Sequence, residues 1–278
     1  MCWRSGIALF LLAGNALAAD GYIIGFGVEG DTAHGLSASL LGDVALAEKT
    51  WLSGAVATSK VDLRRTQTIE TQYGDLGIDH WFDPIGVRVG AAYWGDSDLL
   101  DSRDWRGSLY WRGDKFMVSG NYENRDFRVD LPATDFFAGR EARFDANGVG
   151  LSTRFDLTEK VSLGLHGMDY DYNANLRLDS NRGILDLFSF SRLSLINSLV
   201  DYRAGMTLGV DAGKRHWQLA LSSSKVEVDG SETRSATLRL LTPMGSKGDV
   251  EFSLGVDSSD LYDTVTLLSV FLYFYGGS

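Results

Sequence analysis

The chain has little cysteine, little proline and no long apolar run. The shortage of cysteine and the lack of long apolar runs each exclude a class of protein. Its single cysteine, Cys2, precedes the first apolar stretch, so the rest of the 278 residues must fold without a disulfide. No later apolar segment reaches the about 20 residues that a membrane-spanning helix needs. The net charge of -11 argues against nucleic acid as a partner, because binding to phosphates requires a basic surface.

The N-terminus has the order of a secretory signal peptide. Arg4 precedes an apolar stretch at residues 7–13, and an A-x-A cleavage motif follows at 16–18. The alternative is an N-terminal membrane anchor, but the stretch is too short to cross a bilayer as a helix. We predict a signal peptide at residues 1–19 and one exported domain at 20–278, since no Pro-rich, Ser-rich or single-charge linker divides the remainder.

Apolar and polar residues alternate along most of the chain, which is the period of a β-strand. The segment WFDPIGVRVGAAYW at residues 81–94 places Val87 and Val89 on one face and Arg88 on the other. The pattern recurs at residues 22–28, 36–46, 105–112, 116–123, 161–166, 202–211, 217–222 and 250–257. Proline cannot donate to a sheet ladder, and it falls only between these segments, at Pro84, Pro132 and Pro243.

The connections between these segments alternate in length. The short ones lie near residues 45–50, 82–85, 112–115, 156–160, 211–216 and 242–249. The long ones lie near residues 29–33, 60–68, 95–103, 123–140, 170–199, 225–232 and 257–261. If every connection reverses the chain, all short turns fall at one end of the sheet and all long loops at the other. This arrangement predicts 14 strands, with 12 or 16 as the alternatives, and both termini at the short-turn end.

An exported chain with an even number of strands, each with one apolar face, resembles the bacterial outer-membrane β-barrel proteins. The resemblance is one of architecture, and it implies an all-β, transmembrane, antiparallel up-and-down barrel in the cell outer membrane with both termini periplasmic. The alternative, a soluble β-sandwich or periplasmic barrel, would bury its aromatic residues in a core. The tryptophans lie near strand ends instead, where aromatic girdles sit in membrane barrels: Trp51, Trp81, Trp94, Trp105, Trp111 and Trp217.

The last segment, DTVTLLSVFLYFYGGS, resembles the C-terminal assembly signal of such barrels. Its apolar residues at alternate positions are Val265, Leu267, Phe271, Tyr273 and Tyr275. The resemblance implies the barrel-assembly machinery as a partner of this strand, and outer-membrane lipid and lipopolysaccharide as partners of the outer surface.

In a barrel, the polar face of each strand points into the lumen, and here that face carries charges of both signs. The predicted pore-lining residues are Asp75, Asp79, Arg88, Arg106, Arg112, Lys115, Glu123, Arg154, His166, Asp201, Arg203, Arg239 and Glu251. An acidic strip beside a basic ladder would create a transverse field that orients small polar solutes; the same charges paired as salt bridges would stiffen the wall. A barrel of about 14 strands is too wide for side chains alone to fill. We therefore predict a porin-like channel for passive diffusion of small hydrophilic solutes.

Two other functions remain open from the sequence. The first is that of a closed barrel with a structural, envelope-maintenance or export-partner role. Its lumen would be plugged by the apolar segment 173–199. The second is a lipid-modifying enzyme that uses His166 with Ser162 and Asp169. We predict no enzyme, because the chain has neither a G-x-S-x-G nor an H-E-x-x-H motif. No cofactor and no metal site are predicted, since the acidic segments lack the spacing of a calcium loop.

Overall fold

The computed structural model describes residues 21–63, 67–96, 100–131, 140–173, 199–227, 230–260 and 264–277. The predicted signal peptide lies outside these residues, as does nearly all of the segment 173–199. Within the described ranges, no helix has the length and hydropathy needed to cross a bilayer.

Fourteen antiparallel strands form one closed barrel. Each strand pairs with its neighbours in the chain, and the last pairs with the first. The strands are β1 (Tyr22–Asp31), β2 (Gly35–Ala47), β3 (Thr50–Leu63), β4 (Gln67–Trp81), β5 (Ile85–Asp96), β6 (Leu100–Arg112), β7 (Phe116–Leu131), β8 (Arg140–Asp156), β9 (Val161–Tyr172), β10 (Val200–Ala212), β11 (Arg215–Val226), β12 (Glu232–Pro243), β13 (Gly248–Ser259) and β14 (Val265–Gly276). The predicted all-β, closed antiparallel barrel and its count of 14 strands are confirmed.

The outer face of the barrel is apolar, because alternate residues of each strand point away from the lumen. Val87 and Val89 of β5 are 37% and 49% exposed, and Leu109, the cross-strand partner of Val87, is 60% exposed. Arg88 lies between the two valines, so it belongs to the opposite face. A soluble sandwich would cover such side chains with a second sheet. Here they form a continuous outer band, as membrane barrels present to lipid.

Both ends of the described chain lie at one end of the barrel. Tyr22 at the start of β1 pairs with Gly276 at the end of β14, which defines this as the termini end. The opposite end is called the loop end. The prediction of uniformly long connections there is wrong, because β1 and β2 are separated by residues 32–34 alone, and β5 and β6 by 97–99.

The error arises because strands β6 to β9 continue beyond the apolar band with polar outer faces. Arg128 forms a 2.7 Å ion pair with Asp101, and Tyr122 donates a 2.8 Å hydrogen bond to Asn147. The range 123–140, predicted as a loop, is mostly strand: β7 ends at Leu131 and β8 begins at Arg140. In β7 the apolar positions change from the outer face, at Val118 and Tyr122, to the inner face, at Phe127 and Val129, so the alternation that began the strand breaks near Glu123 and the sequence pattern ended the strand too early.

Register also divides the tryptophans between the two faces. The outer face carries Trp105, Trp111 and Trp217, whereas the face shared with Arg88 carries Trp51, Trp81 and Trp94. A common outer girdle for all six is therefore wrong.

The last strand, β14, is apolar on both faces, so alternation alone does not show which of its residues point inward. Its inner face carries Leu267, Phe271, Tyr273 and Tyr275, and its outer face carries Leu268, Val270, Leu272 and Phe274.

Candidate functional site: the barrel lumen

The lumen contains a cavity of about 1110 Å³ lined by residues from β1 to β10. Many inner-face positions in this part of the wall have small side chains or none, such as Ser53, Gly77, Gly90 and Ser108. Charged side chains project into the remaining space, among them Asp43, Arg88, Arg106 and Arg203. The cavity is thus a space lined by charged, small and some apolar residues of the wall, as expected for a barrel wider than its side chains can fill.

The predicted acidic strip and basic ladder lie side by side and are joined by ion pairs. Arg88 of β5 donates from Nε and Nη2 to Asp79 Oδ2 of β4, at 2.8 and 2.6 Å. Arg106 of β6 pairs with Asp75 of β4. Tyr110 donates a 2.7 Å hydrogen bond to Asp79 Oδ1. Each of these two carboxylates is therefore held in place by an arginine from another strand.

Within these pairs the arginines are more accessible than the acids. The side chain of Arg88 is 65% exposed against 20% for Asp79, and that of Arg106 is 38% exposed against 16% for Asp75. The carboxylates lie close to the backbone of β4, whereas the longer guanidinium groups extend over them. The surface that the cavity offers to a solute is therefore richer in guanidinium than a count of charges suggests.

A second charged cluster is buried in the wall closer to the loop end. Arg125 of β7 lies 3.4 Å from Asp104 and 3.7 Å from Glu123, and all three side chains are less than one-tenth exposed. Glu123 Oε2 accepts hydrogen bonds from Tyr170 at 2.8 Å and from Arg203 at 3.0 Å. Because the acids and arginines alternate, each buried charge has a partner of opposite sign, which is the condition for burying charge at tolerable free energy.

An apolar layer, here called the loop-end cluster, covers these charges on the loop side. The rings of Phe127 and Phe144 stack with centroids 5.1 Å apart, and Phe127 is fully buried. Tyr172 donates a 2.9 Å hydrogen bond to the carbonyl of Val200. The cluster comprises Leu100, Phe127, Val129, Phe144, Ala146, Tyr170, Leu199 and Val200. Its residues belong to β6 to β10, apart from Leu199, which directly precedes β10, so the cluster occupies one side of the lumen.

The other predicted pore-lining residues have different positions. Register places Arg112, Arg154, His166, Arg239 and Glu251 on the inner face. Lys115 lies in the turn between β6 and β7, outside the strands. Asp201 lies at an irregularity in the ladder between β10 and β11, where it forms a 2.6 Å ion pair with Lys225.

The residues proposed for enzymatic chemistry do not converge. His166 and Ser162 lie on the inner face of β9, but Asp169 belongs to the outer face, since it pairs with Val149 and Tyr202. A histidine paired with an acid occurs elsewhere, where His216 Nδ1 lies 2.7 Å from Asp211 Oδ1. The sequence placed His166 beside an acid because Asp169 is close in the chain, but an odd spacing on a strand directs the two to opposite faces.

A set of aromatic rings that was not predicted from the sequence lies flat against the inner wall. A Cβ atom built on Gly27 would lie 2.2 to 2.5 Å from ring atoms of Phe271, its partner across the ladder. The same relation joins Tyr273 with Gly25, Tyr110 with Gly86 and Tyr170 with Gly148. The signal was present as glycines alternating in GFG at residues 25–27 and aromatics alternating in FLYFY at 271–275. Their pairing could not be read without the register.

Comparison with known proteins supports the architecture. No protein-family model matches the chain, and no curated protein resembles it significantly. Among solved structures, the barrel is similar to the CymD monoaromatic hydrocarbon channel, with a TM-score of 0.55, 8% identity and coverage of 94% of this chain and 89% of that one. It also matches the KdgM porin (TM-score 0.47, 10% identity, 91% and 98% covered). A third match is OpdK of Pseudomonas aeruginosa with vanillate (0.47, 7%, 92% and 97%).

The closed antiparallel barrel, its apolar outer band and its charged interior define the class of protein. Closed barrels satisfy every backbone hydrogen bond within the sheet and can therefore cross a lipid bilayer. The chain is a closed 14-strand antiparallel β-barrel with the fold of the CymD channel.

Proposed function

We propose that the barrel is a porin-like channel through which small hydrophilic solutes diffuse passively. The observation that carries this proposal is the cavity of about 1110 Å³, which is lined by charged and small side chains on the inner faces of β1 to β10. Water and small solutes can fill such a space, whereas a closed barrel would leave none, because side chains or a plug would occupy its interior.

The exposed guanidinium groups give the channel a preference for anions. Arg88 and Arg106 extend over their partner acids into the cavity, so a passing anion meets positive charge before negative charge. Near low-dielectric walls such charges act over longer distances than they do in bulk water. The ion pairs fix these arginines in position, so stiffening of the wall and solute selectivity are compatible.

The experiment is single-channel recording of the chain from residue 20 to 278, refolded and inserted in a planar lipid bilayer. Stepwise conductance is expected for the unmodified chain. The double variant Arg88→Ala with Arg106→Ala should shift the reversal potential in a salt gradient toward cation selectivity, because Asp79 and Asp75 remain in the wall.

A matched control is the variant Arg234→Ala. Arg234 is 78% exposed, and register places it on the outer face of β12 near the loop end, so its removal takes away positive charge without altering the lumen. Its reversal potential should equal that of the unmodified chain. A folded, inserted barrel that gives no current steps would refute the channel and favour a closed barrel with a structural role in the envelope.

A further inference from the structure

The lumen wall around the β14–β1 seam differs from the wall opposite. The inner face of β14 carries Leu267, Phe271, Tyr273 and Tyr275, and these are followed round the barrel by Ile23 of β1 and Leu41 of β2. Ile23 is 38% exposed and lines the cavity. The other residues of this strip are half-buried, and an apolar surface that stays partly open inside a water-filled barrel is a candidate binding surface.

The rings on this strip lie with their faces toward the lumen. Phe271 and Tyr273 have centroids 6.1 Å apart and planes within 14° of each other. Both lie over glycines of β1, because Gly27 and Gly25 have no side chain to hold the rings away from the wall. A ring that stood out from the wall would narrow the lumen, whereas a flat ring leaves it wider and offers a stacking surface.

The charged wall lies nearly across the barrel. Arg106 on β6 is six strands from β14 in one direction and eight in the other, so the two are close to opposite. Phe271 lies near the middle of β14 and Arg106 near the middle of β6. A solute at this level would meet an apolar aromatic surface on one side and guanidinium groups on the other.

We propose that Phe271 and Tyr273, with Ile23 and Leu41, form an apolar binding strip for organic anions that carry a flat ring. The ring stacks on the strip with its anionic group directed along the wall and away from Glu251, the cross-strand partner of Phe271, while the positive charges of Arg88 and Arg106 across the lumen attract the anion. This inference deepens the channel function and rests on it for transport, although binding to the strip does not itself require an open pore.

The test compares benzoate with acetate, since both carry a carboxylate and only benzoate carries a ring. Block of potassium chloride current is recorded in planar bilayers, and binding is measured by saturation-transfer NMR on the barrel in nanodiscs, with empty nanodiscs subtracted. Benzoate should bind about two- to tenfold more tightly than acetate, which is the range that one aromatic contact contributes.

The chain offers a matched pair of variants on the same strand. Phe271→Ala removes the inner ring and should bring the benzoate preference close to one. Phe274→Ala removes a 47% exposed ring from the outer face and should leave the preference unchanged. If Phe271→Ala does not fold, Ile23→Ser serves instead, because it makes the strip more polar without disturbing the ring stacked on Gly27.

Failure of this inference is distinguishable from failure of the channel. A chain that conducts but binds benzoate and acetate equally overturns the strip and leaves the channel intact. A chain that gives no current yet binds benzoate in a Phe271-dependent way retains the strip in a closed barrel. A chain with neither current nor benzoate preference overturns both.

Discussion

Phe271 of β14 lies directly over Gly27 of β1, at the seam where the last strand closes the barrel against the first. The ring occupies the volume that any larger residue at position 27 would need, because a Cβ atom there would come within 2.2 Å of the ring. Aromatic residues paired with glycines across a ladder pin strand register. The relation therefore fixes how the ends of the chain meet and keeps the ring flat against the wall.

Gly27→Ala should destabilise the barrel by about 1–3 kcal/mol, since the added methyl group must displace the Phe271 ring. The displaced ring would also lower single-channel conductance by projecting into the lumen. Urea unfolding in lipid vesicles measures the first effect. The control is Gly107→Ala, where an added Cβ meets no atom within 4 Å and stability should not fall. Equal stability of the two variants would contradict the packing described.

Arg125→Met should be among the most destabilising single changes in the wall. The substitution leaves Asp104 and Glu123 buried without the cation between them, and breaking a buried pair costs about 3–5 kcal/mol. Arg234→Met, at a 78% exposed site, should change stability by less than about 0.5 kcal/mol. The comparison uses unfolding free energies in the same vesicles. A loss below about 1 kcal/mol at Arg125 would show that Asp104 and Glu123 find other partners.

An arginine should be tolerated inside the barrel and rejected outside it. Val89→Arg places a charge on the outer band, where insertion near the bilayer midplane costs about 2–4 kcal/mol. Ser53→Arg places the same charge on the inner face, where water and Asp43 across the ladder accept it. Folding yield into vesicles, followed by the gel shift of folded barrels, should fall for the first variant only. Similar folding yields for both variants would contradict the assignment of Val89 to the outer face and Ser53 to the inner face.

Both termini should lie in the periplasm, and single cysteines test this orientation. The chain beyond Cys2 contains no other cysteine, so an introduced thiol is unique in the exported domain. Asp260→Cys lies at the loop end and should react with a membrane-impermeant maleimide on intact cells. Lys214→Cys lies in the turn between β10 and β11 at the termini end, and should react only after the outer membrane is permeabilised. The reverse pattern of labelling would show that the termini lie on the outer surface of the cell.

The sequence predicted the barrel because a period of two is strong wherever one face is apolar and the other polar. Val87, Arg88 and Val89 were assigned to the correct faces from their alternation alone. Prediction failed where the alternation loses or changes its phase. β14 is apolar on both sides, and near the loop end the apolar residues of β7 move to the inner face, at Phe127 and Val129, so the pattern there could not show which residues point inward or where the strand ends.

The candidate site was predictable as a set of residue types but not as a set of contacts. Arg88 and Asp79 were both expected in the lumen, and the register adds that they form an ion pair, with the arginine more exposed. His166 and Asp169 were considered together because they are near in sequence, yet the strand sends them to opposite faces. Proximity across a sheet depends on which strands pair and in which register.

The sequence by itself predicted an export signal. It also determined the alternation of faces along each strand and the charges available to the lumen. These are local properties that side-chain chemistry and the two-residue repeat of a strand dictate. The tertiary structure alone decided that Phe271 meets Gly27, that Asp104, Arg125 and Glu123 form one buried cluster, and that the aromatic residues of β14 lie nearly opposite Arg106 of β6. Those relations join residues far apart in the chain, and only closure of the sheet, which fixes every register at once, brings them together.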